Sequence, residues 1–159
     1  MKIKVIGIGA CGNKASISAL EQGVLDKEKI LLINSTLKDI PEQYRDFAFE
    51  LQGSEGGCGK ERKRSAQLFY NNIVNGDLGQ TLDNFITDED EVVVIVVSTE
   101  GGTGSGGANI VAKYLDEEIG IPVHIFGITG FDEDGRGMEN TIEFFQDLSK
   151  DYTIETLSN

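Results

Sequence analysis

The 159-residue chain has no tryptophan, two prolines, two cysteines and a single histidine. Cys11 and Cys58, both within glycine-rich stretches, are too few for a disulfide framework or a four-ligand metal site, so neither oxidation nor zinc organises the fold and both are read as free thiols. His124 sits in the run VHIFGI with no Asp, Cys or second His close in sequence, which suits a hydrogen-bonded structural imidazole and gives it no chemistry. No apolar run approaches the roughly 20 residues that cross a bilayer. The start MKIKVIGIGACG lacks a secretory apolar region followed by a cleavage site, so a cytoplasmic protein without a membrane partner is expected. Positive charge is also scarce: 14 Lys and Arg stand against 27 Asp and Glu, a net charge of -13. The summed field repels phosphates at long range, which excludes non-specific attraction to nucleic acid or anionic membrane but leaves room for a local basic cluster. No repeat, low-complexity tract or linker interrupts the chain, and its length suits one domain over residues 1–159.

What the chain has is glycine, 20 residues of it, and short apolar runs that alternate with amphipathic segments. That alternation is the pattern of parallel strands joined by helices, so the fold class is α/β, a doubly wound, mainly parallel, Rossmann-like sheet flanked by helices. Strands are expected over Ile3–Ile8, Ile30–Ile33, Phe47–Leu51, Val92–Val97, Val123–Ile128 and Tyr152–Leu157. Helices are expected from about Asn13 to Gly23, Lys60 to Val74, Leu78 to Ile86, Ala108 to Glu118 and Glu139 to Leu148. The uniformly β-branched run Val92–Val97 predicts a central strand buried on both faces. Lys60, Arg62, Lys63 and Arg64 crowd the start of the second helix, the last three reading as a solvated helix face.

Two strand-to-helix junctions concentrate the glycine: GIGACGN (Gly7–Asn13) and EGGTGSGG (Glu100–Gly107). In an open parallel sheet both lie at the carboxyl edge, where ligands bind. A junction without Cβ atoms lets main-chain N–H groups approach an anion, and the start of the following helix favours negative charge. Thr103 and Ser105 add hydroxyl donors. A tight turn needs one or two glycines for positive φ; the excess reads as main chain wrapped around phosphate oxygens. Gly7, Gly9 and Gly12 also satisfy the dinucleotide fingerprint G-x-G-x-x-G. An NAD-binding chain, however, places Asp or Glu near the end of the second strand for the ribose, where this chain has Asn34, Ser35 and Thr36. A P-loop G-x-x-x-x-G-K-[ST] is absent, and neither motif explains the second glycine stretch.

EGGTGSGG after a buried strand resembles the GGGTGSG signature of the tubulin and FtsZ superfamily, and ACGN (Ala10–Asn13) resembles the first phosphate loop of tubulins. Ile33–Ser35 stands where the FtsZ group has its second loop. EGGCGKERKR (Glu55–Arg64) is similar to the third loop and helix start of the plasmid and phage branch called TubZ, and TGFDEDGRG (Thr129–Gly137) occupies the place of the ribose loop. The resemblance implies a GTPase domain in which Gly9, Ala10, Cys11 and Gly12 line the α and β phosphates and Asn34 contributes from the second loop. Gly101, Gly102, Thr103, Gly104, Ser105 and Gly106 would cradle the phosphate chain from the other side. Gly57, Gly59 and Lys60 would approach the γ phosphate, with Lys60 as counter-charge. Asp134 would meet the ribose, and Asn13 and Asn159 would lie near the guanine base, where an amide pairs with the donor and acceptor edge of the ring. The implied ligand is GTP or GDP, with Mg2+ held through the phosphates.

Departures from the family pattern accompany the likeness. Glu100 replaces the first glycine of the signature and brings a carboxylate near the nucleotide unless it points away. Ala10 replaces the glutamine of tubulins. Met138 stands where FtsZ-type chains have arginine, with Arg136 two places early. In the family a central helix, an acidic loop that positions the attacking water on the next subunit's nucleotide, and a second domain come after the position of Asn159. No catalytic residue is therefore expected in this chain itself, since hydrolysis in such proteins is assembled between subunits. One sheet face is expected to be left open, favouring a dimer or a rearranged packing. Two readings stand: the GTP-binding part of a self-associating TubZ-type GTPase that moves or positions plasmid or phage DNA through an adaptor, or a short relative that binds nucleotide and caps or regulates a related filament. A third, an NAD-dependent enzyme, rests on G-x-G-x-x-G alone.

Overall fold

The apolar runs become strands because β-branched side chains fit a pleated surface that is buried on at least one side. In the computed structural model, which describes residues 2–53, 61–129, 140, 142–144 and 146 and the backbone of 153–158, these strands are β1 (Ile3–Ile8), β2 (Ile30–Asn34), β3 (Ala48–Glu50), β4 (Val92–Ser98), β5 (Val123–Thr129) and β6 (Thr153–Ser158). They form one six-stranded sheet in the order β3-β2-β1-β4-β5-β6, and every pairing in it is parallel. The chain winds outward from β1 to β3 and then returns to the other side of β1, so the winding reverses between β1 and β4. The helices are α1 (Gly9–Glu21), α2 (Arg62–Val74), α3 (Leu78–Phe85) and α4 (Gly102–Tyr114). Residues 140, 142–144 and 146 are also helical. A π turn, Leu115–Ile119, extends α4 and ends at Gly120, whose φ of 82° is the left-handed conformation that closes many helices.

Alternate strand residues feed two cores of unequal size. The larger joins Ile6, Ile8, Ile33, Ile95 and Val97 to Phe69, Leu82, Val111 and Leu115 beneath α2, α3 and α4. The smaller joins Val5, Ile30 and Leu32 to Ile17 of α1 and to Ile40. The expectation that Val92–Val97 is buried on both faces needs correction. Val93, Ile95 and Val97 are fully buried, but Val92, Val94 and Val96 are only half-buried. Along β5, His124, Phe126 and Ile128 are likewise half-buried. On that side α1 packs against β1, β2 and β4, whereas α2, α3, α4 and the buried Phe144 pack over the other. A uniformly β-branched run does not reveal which of its faces receives the fuller cover.

At the amino edge of the sheet, β1 carries a charge into the interior. The Lys4 ammonium lies 3.2 Å from the Asp90 carboxylate, with side chains 8% and 1% exposed. It also donates to the Phe85 carbonyl and sits 4.6 Å from the centre of the Phe85 ring. Asp90 in turn accepts from the Thr87 backbone N–H at 2.8 Å and from the Thr87 hydroxyl at 3.2 Å. The pair ties β1 to the turn between α3 and β4. Burial pushes the Asp90 carboxyl up, but the Thr87 N–H, the Lys4 ammonium and the Thr87 hydroxyl together outweigh it and hold the group below the ordinary carboxylate range.

Asp90→Asn should cost about 3 kcal/mol in urea denaturation at neutral pH, because it strands the Lys4 ammonium without a counter-charge. The folded Asp90 pKa lies below the unfolded value of about 3.9, so the pair's contribution is complete above that value and is lost as pH falls through the folded pKa. The stability gap between wild type and Asp90→Asn should therefore narrow on acidification. A gap that stays constant into strong acid would show that the pair does not supply it.

Candidate nucleotide-binding site

β1 and β4 run side by side with Ile8 opposite Val97, and their carboxyl ends release the chain into α1 and α4. Both helices begin earlier than the sequence pattern suggests, at Gly9 and Gly102 instead of Asn13 and Ala108. Glycine's poor helix propensity argues for loops at both places, but packing overrides it. A Cβ on Gly12 would collide with the Val96 carbonyl, one on Gly106 with the Arg62 carbonyl, and one on Gly107 with the Phe69 ring. On Gly104 it would stand 2.6 Å from Val97 Cγ2 and 2.9 Å from the Ile8 carbonyl. These glycines set the distance of helix from strand and of α4 from α2. Gly9 is required for another reason, its φ of 78°. Gly101 answers to neither, since a Cβ there would meet nothing within 4 Å.

Between the two helix starts lies a cleft of about 330 Å³, walled by Gly9, Ala10 and Cys11 on one side and by Gly101, Thr103 and Gly104 on the other. Asn34 at the end of β2, Ser35, Thr36 and Asp39 beyond it, and Ile8 and Ser98 at the ends of β1 and β4 complete it. Neither α1 nor α4 has a side-chain cap or an acidic residue in its first turn. The first N–H groups of a helix lack intrahelical acceptors, so two uncapped helix ends converge on one cleft at the switch point, an arrangement that suits an anion.

Seven of the sequence-predicted residues line this cleft: Gly9, Ala10, Cys11, Asn34, Gly101, Thr103 and Gly104. Gly12, Asn13, Ser105 and Gly106 are not among its lining residues. Asn13 is 2% exposed and donates from Nδ2 to the Ile33 carbonyl at 3.1 Å. Its Oδ1 has no hydrogen-bond partner among the described residues. Gly57, Gly59, Lys60, Asp134 and Asn159, along with Cys58, Arg136 and Met138, lie outside the described residues. Sequence reasoning missed Asp39, which accepts from Asn34 Nδ2 at 3.4 Å. A carboxylate sought at the end of β2 stands instead in the short turn Leu37–Asp39, which Thr36 caps by accepting from the Lys38 N–H at 3.2 Å. The Thr-x-x-Asp spacing was the available signal.

Arg62 corrects a second expectation. Lys63 and Arg64 are solvated, but Arg62 is buried. Its Nε donates to Ser105 Oγ at 2.7 Å and its Nη2 to the Ser105 carbonyl at 3.0 Å, while Nη1 lies 3.5 Å from the Glu143 carboxylate. The Ser65 hydroxyl donates to the Thr103 carbonyl at 2.6 Å. Ser105 is thus turned toward α2, and these bonds fix the first turn of α4 from behind. Glu100 does not line the cleft; its carbonyl accepts from Asn140 Nδ2 at 2.9 Å. Burial pushes the Cys11 thiol up, Lys14 pulls it down and Glu100 pushes it up again, for a net rise that keeps it a neutral thiol at pH 7. No cluster of three or more His, Cys, Asp or Glu suited to a metal occurs among the described residues.

The glycine geometry separates two roles. Gly12→Ala should lower stability by about 1–3 kcal/mol through overpacking against the Val96 carbonyl, whereas Gly101→Ala should stay within about 1 kcal/mol of wild type. Thermal and urea denaturation of both variants measure this. Equal costs would mean that the close approach of α1 to β4 is not what Gly12 provides.

The described geometry has counterparts among known proteins. The family model "Tubulin/FtsZ family, GTPase domain" matches residues 2–157. The tubulin-like protein CetZ1 of Haloferax volcanii is 29% identical over 160 residues, covering 92% of this chain and 39% of that protein. The chain therefore spans well under half the length of this curated relative. The solved GDP-bound CetZ1 monomer superposes with a TM-score of 0.85 at 26% identity, covering 100% of this chain and 51% of that one. The TubZ of Clostridium botulinum phage c-st, in a tail-truncated form, does so with a TM-score of 0.78 at 25% identity, covering 99% and 53%. A GTPγS-bound protofilament of CetZ2 from Haloferax volcanii shares the fold, with a TM-score of 0.81 at 22% identity over 99% of this chain and 49% of that one. CetZ and TubZ both stand among these neighbours, so the likeness to TubZ is corrected to the level they share. With the family model matching residues 2–157 and the solved relatives superposing over nearly the whole chain, this chain belongs to the tubulin/FtsZ family, as its GTPase domain.

Proposed function

We propose that the cleft between the starts of α1 and α4 binds the phosphate chain of GTP or GDP, and that this chain is the nucleotide-binding part of a tubulin-like cytoskeletal GTPase that self-associates. The convergence of two uncapped helix ends on one cleft carries the reading. The residues fit the group: small side chains and main chain line both flanks, and Gly101 leaves open space where a larger residue would intrude. Gly9, Ala10 and Cys11 take one side of the phosphates and Gly101, Thr103 and Gly104 the other. Gly12, Ser105 and Gly106 act behind them, holding the helix starts in place. Asn13, buried against β2, fits that supporting role better than contact with the base.

The roles of Gly57, Gly59 and Lys60 at the γ phosphate, of Asp134 at the ribose and of Asn159 at the base rest on the family resemblance. So does Mg2+ arriving with the phosphates. Guanine draws support from the GDP-bound CetZ1 neighbour. That hydrolysis needs a neighbouring subunit to position the attacking water rests on the family resemblance as well. A cytoplasmic location without a membrane partner suits this role, and no described helix is long and apolar enough to cross a bilayer. DNA movement through an adaptor rests on the TubZ-like stretch Glu55–Arg64 alone, and the curated CetZ relative lends it no support.

Thermal unfolding with GTP, GDP, ATP and NAD tests the proposal. A nucleotide at about 100 times its dissociation constant should stabilise the fold by roughly 2.7 kcal/mol, and GTP and GDP should do so where NAD does not. Gly101→Val should keep the wild-type melting midpoint without ligand yet weaken GTP by about tenfold or more, a loss of roughly 1.4 kcal/mol of binding. No response to either guanine nucleotide would sink the proposal.

A further inference from the structure

α2 and α4 lie against each other over the larger core, and near their carboxyl ends an apolar groove of about 370 Å³ opens to solvent. Tyr70, Ile73 and Val74 of α2 face Ile110 and Tyr114 of α4 across it. Tyr70 and Val74 are 55% and 57% exposed, and they are two of only four large apolar side chains so exposed among the described residues. Isolated exposed apolar residues are ordinary, but neighbouring ones in a concave patch mark contact surfaces.

The groove does not end on neutral surface. Glu118 lines both it and a second cleft of about 430 Å³ at the amino edge of the sheet. That cleft presents the carboxylates of Asp83, Asp88 and Asp90. Asp90 is neutralised by Lys4, but Asp83, Asp88 and Glu118 form no ion pair among the described residues. The Tyr114 hydroxyl donates to Asp83 at 2.8 Å and forms the ridge between the two spaces. Burial, then the bond to Asp83 and the charges of Asp83 and Glu118, push its phenol up to about 12. Glu117 and Glu118 sit on the π turn Leu115–Ile119, a distortion that recurs at functional sites. Among the described residues, Lys113 is the one cation lining the groove.

We infer that this two-part surface docks a basic amphipathic helix of a partner protein, whose apolar side chains enter the α2/α4 groove while its lysines or arginines lie over the acidic cleft. An apolar trough between two helices suits the helix-in-groove mode, read by anchors at every third or fourth residue. Charge selects the partner's sign. A second copy meeting this face with its own would set Asp83, Asp88 and Glu118 against the same carboxylates, and like-charge contact is costly. The surface lies toward the amino edge of the sheet, away from the cleft at the carboxyl edge, so a partner held there leaves that cleft open.

The probe is a fluorescein-labelled peptide of about five helical turns with leucine on one face and lysine on the other. Its anisotropy is followed at about 0.15 M salt, where exposed charges beyond roughly 8 Å are screened. Val74→Asp and Glu118→Lys should each weaken binding by about fivefold or more, while Glu28→Lys, the same charge change outside both spaces, should weaken it by less than about twofold. Far-UV circular dichroism should be unchanged in all three variants. Equal losses for Glu28→Lys and Glu118→Lys would reveal mere attraction to an acidic chain and overturn the inference, as would undiminished binding to Val74→Asp. Sedimentation showing a wild-type dimer that Val74→Asp converts to monomer would overturn it too, by making the face a contact between copies.

Discussion

Everything at the carboxyl edge of this sheet depends on how closely two helices approach it. α1 passes so near β4 that Gly12 faces the Val96 carbonyl, and α4 is pressed between β1, β4 and α2 at Gly104, Gly106 and Gly107. Van der Waals contact at that separation leaves no volume for a methyl group, so the composition of both helix starts follows from geometry. The same closeness aims both helix ends at one cleft. Had either helix stood off by the width of a side chain, its N-terminal amides would point past the space that Gly101 and Thr103 enclose.

Much of this is legible in the sequence, and the errors share a cause. Alternating apolar runs locate the six strands and the parallel α/β class because period and β-branching are local properties. The glycine stretches correctly mark where the chain leaves β1 and β4. They mislead about where α1 and α4 begin, because propensity treats glycine as a helix breaker and cannot see the strand behind it. Arg62 escapes a sequence reading for a related reason: a basic run looks solvated until a neighbouring helix supplies an acceptor, here Ser105 Oγ at 2.7 Å. Asp39 is hidden because its place in the cleft depends on a short turn after β2, not on spacing along a strand.

The two edges of the sheet hold opposite electrostatic characters. At the carboxyl edge two uncapped helix starts bring the positive ends of their dipoles to one cleft, and neither lysine nor arginine is among its described lining residues. At the amino edge Asp83 and Asp88, which form no ion pair among the described residues, gather around Glu118, and the buried ammonium of Lys4 is committed to Asp90. A molecule of net charge -13 therefore sets helix-end dipoles and clustered carboxylates at opposite ends of the same strands.

The clasp between Arg62 and Ser105 bears on how such a sequence can drift. The guanidinium commits two of its donors to one serine, through both its hydroxyl and its carbonyl, and Gly106 beside that serine rests on the arginine's own carbonyl. A lone replacement of the arginine strands a buried hydroxyl; a lone replacement of the serine removes one acceptor, while the main-chain carbonyl at that position and Glu143 still face the guanidinium. The two positions are therefore unequally tied: the serine can be exchanged for another small residue at the loss of one bond, whereas the arginine answers for the serine hydroxyl, a main-chain carbonyl and a carboxylate at once.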